Sequence, residues 1–213
     1  MRILIVAAHP DDEVLGMGAT IKKLSKKNSI ILCVVSEGAS AQYSDQKMID
    51  VRKQACLKSG KLLGISKFYF GELPDQKLDS IPKLQINKFL EKIIAKHKPD
   101  IVFTTPNNDV NNDHRIVHNS TLVATRPLSN SVQKVLSYEI PGHKKTSFQP
   151  NVFEEISKEL KYKINAFKMY KSEVRKFPHP RSIEAIRNLA AQRGIESGLK
   201  NAESFSLVRS NSI

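Results

Sequence analysis

The chain has 213 residues, of which 40% are hydrophobic and 26% are charged, and these proportions are typical of one globular domain with a sizeable core. No apolar run reaches the roughly 20 residues that a membrane-spanning helix requires, and the two cysteines exclude a disulfide framework. The formal net charge of +13 favours anionic partners such as a phosphate-bearing substrate, but the lysines are scattered, so nucleic acid is not expected.

Apolar and polar stretches then alternate along the chain in the order expected of βαβ units. The first apolar run, 2–8, has the length of a buried strand, and three carboxylates at 11–13 suit the first turn of a helix that extends to about Lys27. Four further strands are predicted at 29–38, 67–75, 100–109 and 132–142, and the helices between them at 45–64, 81–98 and 113–127. This pattern predicts a Rossmann-like three-layer α/β sandwich around a mainly parallel sheet.

The pattern changes after the fifth strand. Helical spacing predicts one long helix over 151–177, a break at 178–182, and a second helix over 183–198. The residues 202–209 are expected to form a short strand or an extended tail. We therefore predict a single domain over 1–213, in which about 150–213 form a helical cap.

Titratable side chains gather where two predicted strands end. His9, Asp11 and Asp12 follow the first strand, and the polar stretch 107–114 follows the fourth. Ligands of open α/β sheets bind at this edge, and one or two histidines with a carboxylate are the donors that hold catalytic zinc or iron(II). Alternatively, each aspartate caps its helix, and His114 lies at the surface.

Two motifs resemble a known family. "AHPDDEVLGMGATI" at 8–21 and "DVNNDHR" at 109–115 are similar to the motifs of the PIG-L/LmbE-like family of metal-dependent N-deacetylases, and the similarity extends over nearly the whole chain. The tail at 179–209 is similar to a branch of that family that is often tied to cell-surface sugar biosynthesis.

The resemblance implies a role for each matching residue. The implied zinc ligands are His9, Asp12 and His114. Asp11 would be the general base that takes a proton from the attacking water. Asp113 would hold the neighbouring metal histidine, and Arg52 on the second helix would contact the substrate.

One position departs from the family pattern. Many members have a histidine three residues before the metal histidine, and this chain has Asn111 there. An asparagine can donate a hydrogen bond to an oxyanion, but it cannot act as an acid. The candidates for the proton donor are His179, which lies beside Arg181 in the tail, and Asp11 itself. The alternative for both tail residues is local packing at the start of the last helix.

The expected function is the removal of an N-acetyl group from an amino sugar in the cytoplasm, with zinc or iron(II) as cofactor. The alternatives are an amidohydrolase that acts on a non-sugar N-acyl substrate and a non-catalytic module that binds a sugar or nucleotide. A homo-oligomer is compatible with the sequence.

Overall fold

A computed structural model describes residues 1–43, 45–142 and 144–211. The strands are β1 (Arg2–Ala7), β2 (Ser29–Ser36), β3 (Lys67–Leu73), β4 (Ile101–Thr104), β5 (Lys134–Tyr138), β6 (Val152–Glu155) and β7 (Ala202–Ser210). The helices are α1 (Asp12–Leu24), α2 (Lys47–Leu63), α3 (Lys83–His97), α4 (Asn112–Ala124), α5 (Leu160–Phe167) and α6 (Ile183–Ser197). The alternating part of the prediction is confirmed, with ends that differ by a few residues.

The strands form one sheet in the order β3-β2-β1-β4-β5-β7-β6. The first five strands are parallel, and β7 runs antiparallel to both β5 and β6. β1 lies in the interior of the sheet and pairs with β4, so that Ile3 faces Ile101 and Ile5 faces Phe103. The ends of β1 and β4, where the sequence places its two polar clusters, are therefore neighbours.

Helices cover both faces of this sheet, as the alternation of side chains along β1 shows. Ile3 and Ile5 pack into a core with α1, α2, α5 and α6, whereas Leu4 and Val6 pack into a second core with α3 and α4. Both cores exclude water, and the three-layer α/β sandwich is confirmed. Within the described residues, no helix has the length and apolar character needed to cross a membrane.

Helix α1 is interrupted near its middle. Met17 has non-helical angles (φ −145°, ψ 27°), and the carboxylate of Glu203 on β7 accepts the N–H groups of Ala19 and Thr20 that the break leaves open. Lys163 of α5 donates to the same carboxylate at 2.7 Å. The helix ends at Leu24 rather than at about Lys27, and its second half is capped by a strand distant in sequence.

The predicted long helix over 151–177 is wrong. Residues 152–155 form β6, which pairs with β7 so that Val152 faces Phe205, and helix α5 covers only Leu160–Phe167 before a run of turns. The helical spacing of the apolar residues is outweighed here by cross-strand pairing, because residues 152–155 are stabilised by hydrogen bonds and side-chain contacts at the edge of the sheet. The segment at 150–211 is thus part of the main sheet as well as a helical layer.

Candidate metal centre

The turn after β1 is stabilised by hydrogen bonds from its backbone to the side chain of Asp12. Oδ2 of Asp12 accepts the N–H groups of Ala8 and His9 at 3.0 and 2.8 Å, and this fixes the carboxylate at the start of α1. Gly38, with φ +70°, packs against Pro10, and a β-carbon there would lie 2.5 Å from the proline ring. Only glycine allows the loop after β2 to approach this turn so closely.

His114 is supplied by the first turn of α4. Asn111 caps this helix by accepting the N–H of Asp113, and Thr105, just after β4, donates its hydroxyl to the His114 carbonyl oxygen at 2.7 Å. Nδ1 of His114 lies 2.8 Å from Oδ2 of Asp109. Since a carboxylate accepts, Nδ1 carries the proton, and Nε2 is left with a lone pair to offer.

The two clusters meet at a buried point. His9, Asp12 and His114 each offer a donor atom, these atoms lie within 4.8 Å of one another, and all three residues are buried. Nε2 of His114 lies 3.3 Å from Oδ1 of Asp12, and Nδ1 of His9 lies 3.7 Å from Oδ2 of Asp12. Two donors at about 2.1 Å from a tetrahedral ion are about 3.4 Å apart. The 3.3 Å between Nε2 of His114 and Oδ1 of Asp12 therefore fits two ligands of one divalent cation, and the donor atom of His9 lies within 4.8 Å of both residues' donor atoms.

Two of these atoms also lack any other partner. Oδ1 of Asp12 and Nε2 of His114 are buried and make no hydrogen bond among the described residues. Buried polar atoms are rarely left unpaired, and a bound cation satisfies an acceptor pair of this kind. The donor set of two nitrogens and one carboxylate oxygen is one that zinc or iron(II) takes with open positions.

The other nitrogen of His9 contacts two further carboxylates. Nε2 lies 3.0 Å from Oδ2 of Asp113 and 3.2 Å from Oδ1 of Asp75. Because Nε2 donates to them, Nδ1 is the atom that His9 offers to a metal. The sequence led us to expect Asp113 against His114. The structure places it against His9 instead, and Asp109 contacts His114.

The carboxylates raise the affinity of this site for positive charge. Burial alone would lower the pKa of His114, but Asp12 and Asp109 outweigh it and raise the pKa to about 9. Burial would raise the pKa of Asp12, but His114 and His9 hold it well below its usual value. The cluster thus calls for cationic charge that a metal ion supplies when it displaces protons.

Asp11 lies beside the cluster in an unusual backbone conformation, with φ 126° and ψ −22°. It is fully buried, and neither carboxylate oxygen makes a hydrogen bond to a described residue. Burial raises its pKa, Asp12 adds to this, and Arg181 and Arg52 oppose it. A carboxylate with a raised pKa and free lone pairs suits the role of a general base.

Arg52 is not at the surface of the site. Its side chain is 2% exposed, donates to the Pro10 carbonyl oxygen at 2.8 Å, and lies 3.5 Å from Asp11. It also pairs with Glu173 at 2.7 Å. In this conformation Arg52 supports the turn that carries Asp11, and direct contact with substrate stays a prediction.

The C-terminal segment also contributes a residue next to the Asp11 carboxylate. Arg181, whose side chain is 28% exposed, pairs with Glu173 and lies 3.7 Å from Oδ2 of Asp11. His179 is exposed, and its Nδ1 accepts the N–H of Arg181. Asn111 is half-buried, and its Oδ1 is used in capping α4, so Nδ2 is the atom that it can offer a ligand.

Sequence reasoning assigned no role to several residues of this centre, namely Glu13, Asp75, Asp109, Tyr170 and Glu173. Asp75 and Asp109 lie among the polar residues at the ends of the third and fourth strands, but the sequence did not show which histidine each of them contacts. Glu13 accepts the N–H of Asp11 at 3.1 Å and the hydroxyl of Tyr170 at 2.6 Å. Nothing local in the sequence connects Tyr170 or Glu173 to the first motif.

Fold and site together define an α/β protein with a buried His-Asp-His centre at the carboxyl edge of a parallel sheet. The model of one family, described as PIG-L: GlcNAc-PI de-N-acetylase, matches residues 4–125. This is more than half of the chain, and the chain belongs to the PIG-L family. A curated relative, "Uncharacterized deacetylase YaiS" of Escherichia coli K12, is 32% identical over 179 residues, which are 80% of this chain and 90% of the relative.

Two solved structures share the fold. N,N'-diacetylchitobiose deacetylase from Pyrococcus horikoshii has a TM-score of 0.82 and 24% identity, over 97% of this chain and 83% of that one. GalB, the 4-carboxy-2-hydroxymuconate hydratase of Pseudomonas putida KT2440, has a TM-score of 0.82 and 18% identity, over 100% and 98%. One fold thus serves two named reactions, and the reaction has to be argued from the site.

Proposed function

We propose that the protein hydrolyses the N-acetyl group of an amino sugar, with a divalent ion, zinc or iron(II), held by His9, Asp12 and His114. The observation that carries this proposal is the convergence of buried atoms that make no hydrogen bond among the described residues: Oδ1 of Asp12, Nε2 of His114 and both carboxylate oxygens of Asp11. A non-catalytic module has no use for a desolvated base beside its metal ligands.

A metal ion bound here would act as a Lewis acid toward the amide carbonyl and the attacking water. Asp11 takes the proton from that water as the water oxygen bonds to the amide carbon, and its raised pKa makes it a stronger proton acceptor than an ordinary aspartate. Nδ2 of Asn111 donates to the oxygen that becomes negative. Asp11 then returns the proton to the sugar nitrogen, and the C–N bond breaks to give acetate and a free amine.

The C-terminal segment places a charged residue next to Asp11, the proposed base. Arg181 faces Asp11 and is partly exposed, so it can also meet an anionic group of the substrate. A phosphate-bearing sugar fits this arginine and the net charge of +13. His179 lies two residues away and is the alternative proton donor.

The family description and the relatives support an N-acetylated sugar as substrate, since they name GlcNAc-PI, diacetylchitobiose and a deacetylase. A role in cell-surface glycan synthesis is the corresponding proposal for the pathway. Cys33 and Cys56 are free and buried, in agreement with a reducing cytoplasm. A homo-oligomer stays a prediction.

The test is amine release from N-acetylglucosamine in free, nucleotide-linked and lipid-linked form and from N-acyl amino acids, with protein loaded with zinc or iron(II). We expect release from at least one sugar. Asp11→Asn should keep the metal and lose about 10²–10⁴-fold in turnover. Asp100→Asn, at the opposite edge of the sheet, is the matched control and should stay active.

Two results would contradict the proposal. Unchanged turnover in Asp11→Asn would remove Asp11 from the reaction. Release from N-acyl amino acids alone would replace the sugar by another N-acyl substrate.

A further inference from the structure

The backbone of Asp11 has a conformation that non-glycine residues rarely adopt. Its φ is 126° and its ψ is −22°. Among the described residues, four other non-glycine residues have a positive φ, and their values of 46° to 67° lie in or near the left-handed helical region that side chains tolerate. The φ of Asp11 lies far outside that region. Strained backbone of this kind persists only where the surrounding structure holds it.

The peptide group between Pro10 and Asp11 is held at both ends. Its N–H, on Asp11, donates to Oε2 of Glu13 at 3.1 Å. Its carbonyl oxygen, on Pro10, accepts a hydrogen bond from Arg52 at 2.8 Å. The φ of Asp11 describes rotation about the bond from this peptide group to the α-carbon, so turning the peptide group to relax φ would break both hydrogen bonds. Glu13 and Arg52 therefore form a clamp on this peptide group.

Both members of this clamp are held in turn by the segment after α5. Oε1 of Glu13 accepts the hydroxyl of Tyr170 at 2.6 Å. Arg52 pairs with Glu173 at 2.7 Å. Tyr170 and Glu173 belong to one turn, since the N–H of Glu173 donates to the carbonyl oxygen of Tyr170 at 2.8 Å. All four side chains are buried. One turn of the C-terminal segment thus supports both ends of a peptide group in the first motif.

The carboxylate of Asp11 itself has weaker support than its backbone. Neither of its oxygens makes a hydrogen bond to a described residue, and the arginines beside it, Arg52 and Arg181, lie 3.5 and 3.7 Å away. The direction in which a side chain leaves the backbone is fixed by the backbone angles of its residue. The peptide group that the clamp holds therefore sets where the Asp11 carboxylate lies.

We propose that Glu13 and Tyr170 are positioning residues that hold Asp11 in its strained backbone conformation and so aim its carboxylate at the attacking water. The inference rests on the proposed function for the role of Asp11. Tyr170 fixes the Glu13 carboxylate, and Glu13 fixes the N–H of Asp11, while Arg52 and Glu173 hold the other end of the peptide group. When the clamp is broken, Asp11 keeps its carboxylate but loses its alignment, so that turnover falls while substrate affinity and metal binding are retained.

The strain is tested by urea unfolding of metal-free Asp11→Gly and Asp11→Ala. Both variants lose the carboxylate, and glycine adopts a positive φ without the clash of a β-carbon. Glycine ordinarily destabilises a protein relative to alanine. We expect the opposite order at position 11, with an unfolding equilibrium constant about tenfold smaller in Asp11→Gly than in Asp11→Ala. Asn165, an exposed helical position on α5, is the control and should show the ordinary order. The ordinary order at both positions overturns the proposal.

The positioning role is tested by the kinetics of metal-loaded Tyr170→Phe, which lacks only the hydroxyl that fixes Glu13. We expect kcat to fall about tenfold, with KM and metal content as in the parent. Glu13→Gln keeps an acceptor for the N–H of Asp11 and should retain more activity than Glu13→Ala. Tyr162→Phe on α5 is the matched control and should keep the parent kcat. An unchanged kcat in Tyr170→Phe, or equal losses in the two Glu13 variants, overturns the proposal.

The two tests separate this inference from the proposed function. A parent protein that releases no amine from any of the acetylated sugars contradicts the proposed function, and the comparison of Asp11→Gly with Asp11→Ala still measures the strain. Amine release together with the ordinary order of glycine and alanine at position 11 overturns the inference alone.

Discussion

The first 125 residues and the segment after β5 contribute to the centre in different ways. The first region supplies the donors for the metal: His9 and Asp12 lie in the turn after β1, and His114 lies in the first turn of α4, which follows β4. The second region supplies Arg181, which lies 3.7 Å from Asp11, and Glu173, which pairs with Arg181.

The difference separates two tasks. A metal ion requires donors at fixed short distances, and adjacent strand ends of a parallel sheet provide them. A general base requires control of its charge, and this comes from buried charged groups that any packed segment can bring. The family model matches 4–125, and so it covers the metal donors, Asp11 and Arg52 but not Glu173 and Arg181.

Loss of a metal donor should have the largest effect. His114→Ala removes Nε2 from the set, and we expect metal content to fall well below one ion per chain and turnover to fall about 10³-fold or more. Metal analysis after dialysis measures the first and amine release the second. His97→Ala, near the opposite edge, should keep its metal. Full zinc content in His114→Ala would disprove the donor set.

Breaking the buried charge network should cost the most stability among the tail residues. Glu173→Gln removes the closest carboxylate of Arg52 and leaves Asp11, at 3.5 Å, as its ion-pair partner, and the side chains of Arg52 and Glu173 are at most 2% exposed. We expect the free energy of unfolding in urea to fall by about 3 kcal/mol. Glu184→Gln on exposed helix surface should change it by less than about 0.5 kcal/mol. Equal stability of the two variants would show that the network contributes nothing.

The carboxylates behind the histidines should tune metal affinity. Asp109→Asn removes the acceptor charge at Nδ1 of His114, and we expect about 10- to 100-fold weaker metal binding in a chelator competition. Asp113→Asn should have a smaller effect, because Asp75 also contacts His9. A larger loss in Asp113→Asn would reverse this order of importance.

The smallest effect concerns the junction of the two regions. Glu139, after β5, pairs with Arg193 of α6 and with Lys144, and these partners and Ser204 hold its pKa below the ordinary 4.5 although burial opposes them. The stabilisation is present above pH 4.5 and is lost as pH falls through the lowered pKa.

We expect Glu139→Gln to lower the free energy of unfolding by about 2 kcal/mol at pH 7. The difference in unfolding free energy between variant and parent should shrink as the pH falls from 4.5 through the lowered pKa of Glu139. Urea titrations at several pH values measure it, and a gap independent of pH would contradict the assignment.

Much of the first region could be predicted because its signals are local. Buried strand runs, the end of the second helix near position 64 and the position of His9 and His114 after strands are properties of short stretches. The second region could not be predicted in the same way. The apolar residues of 151–177 have helical spacing, but residues 152–155 pair with β7. That partner strand is available only in the folded sheet.

The amino-acid sequence by itself determined the α/β architecture and the residue types that gather at two strand ends, since both depend on hydrophobic period and on chain order. Tertiary structure alone decided which carboxylate meets which histidine, and it brought Glu173 and Arg181 to Asp11. The physical reason is that pairs such as His9 with Asp113 and Asp11 with Arg181 join residues that are distant in sequence, and such pairing depends on packing angles and burial, which no local pattern specifies.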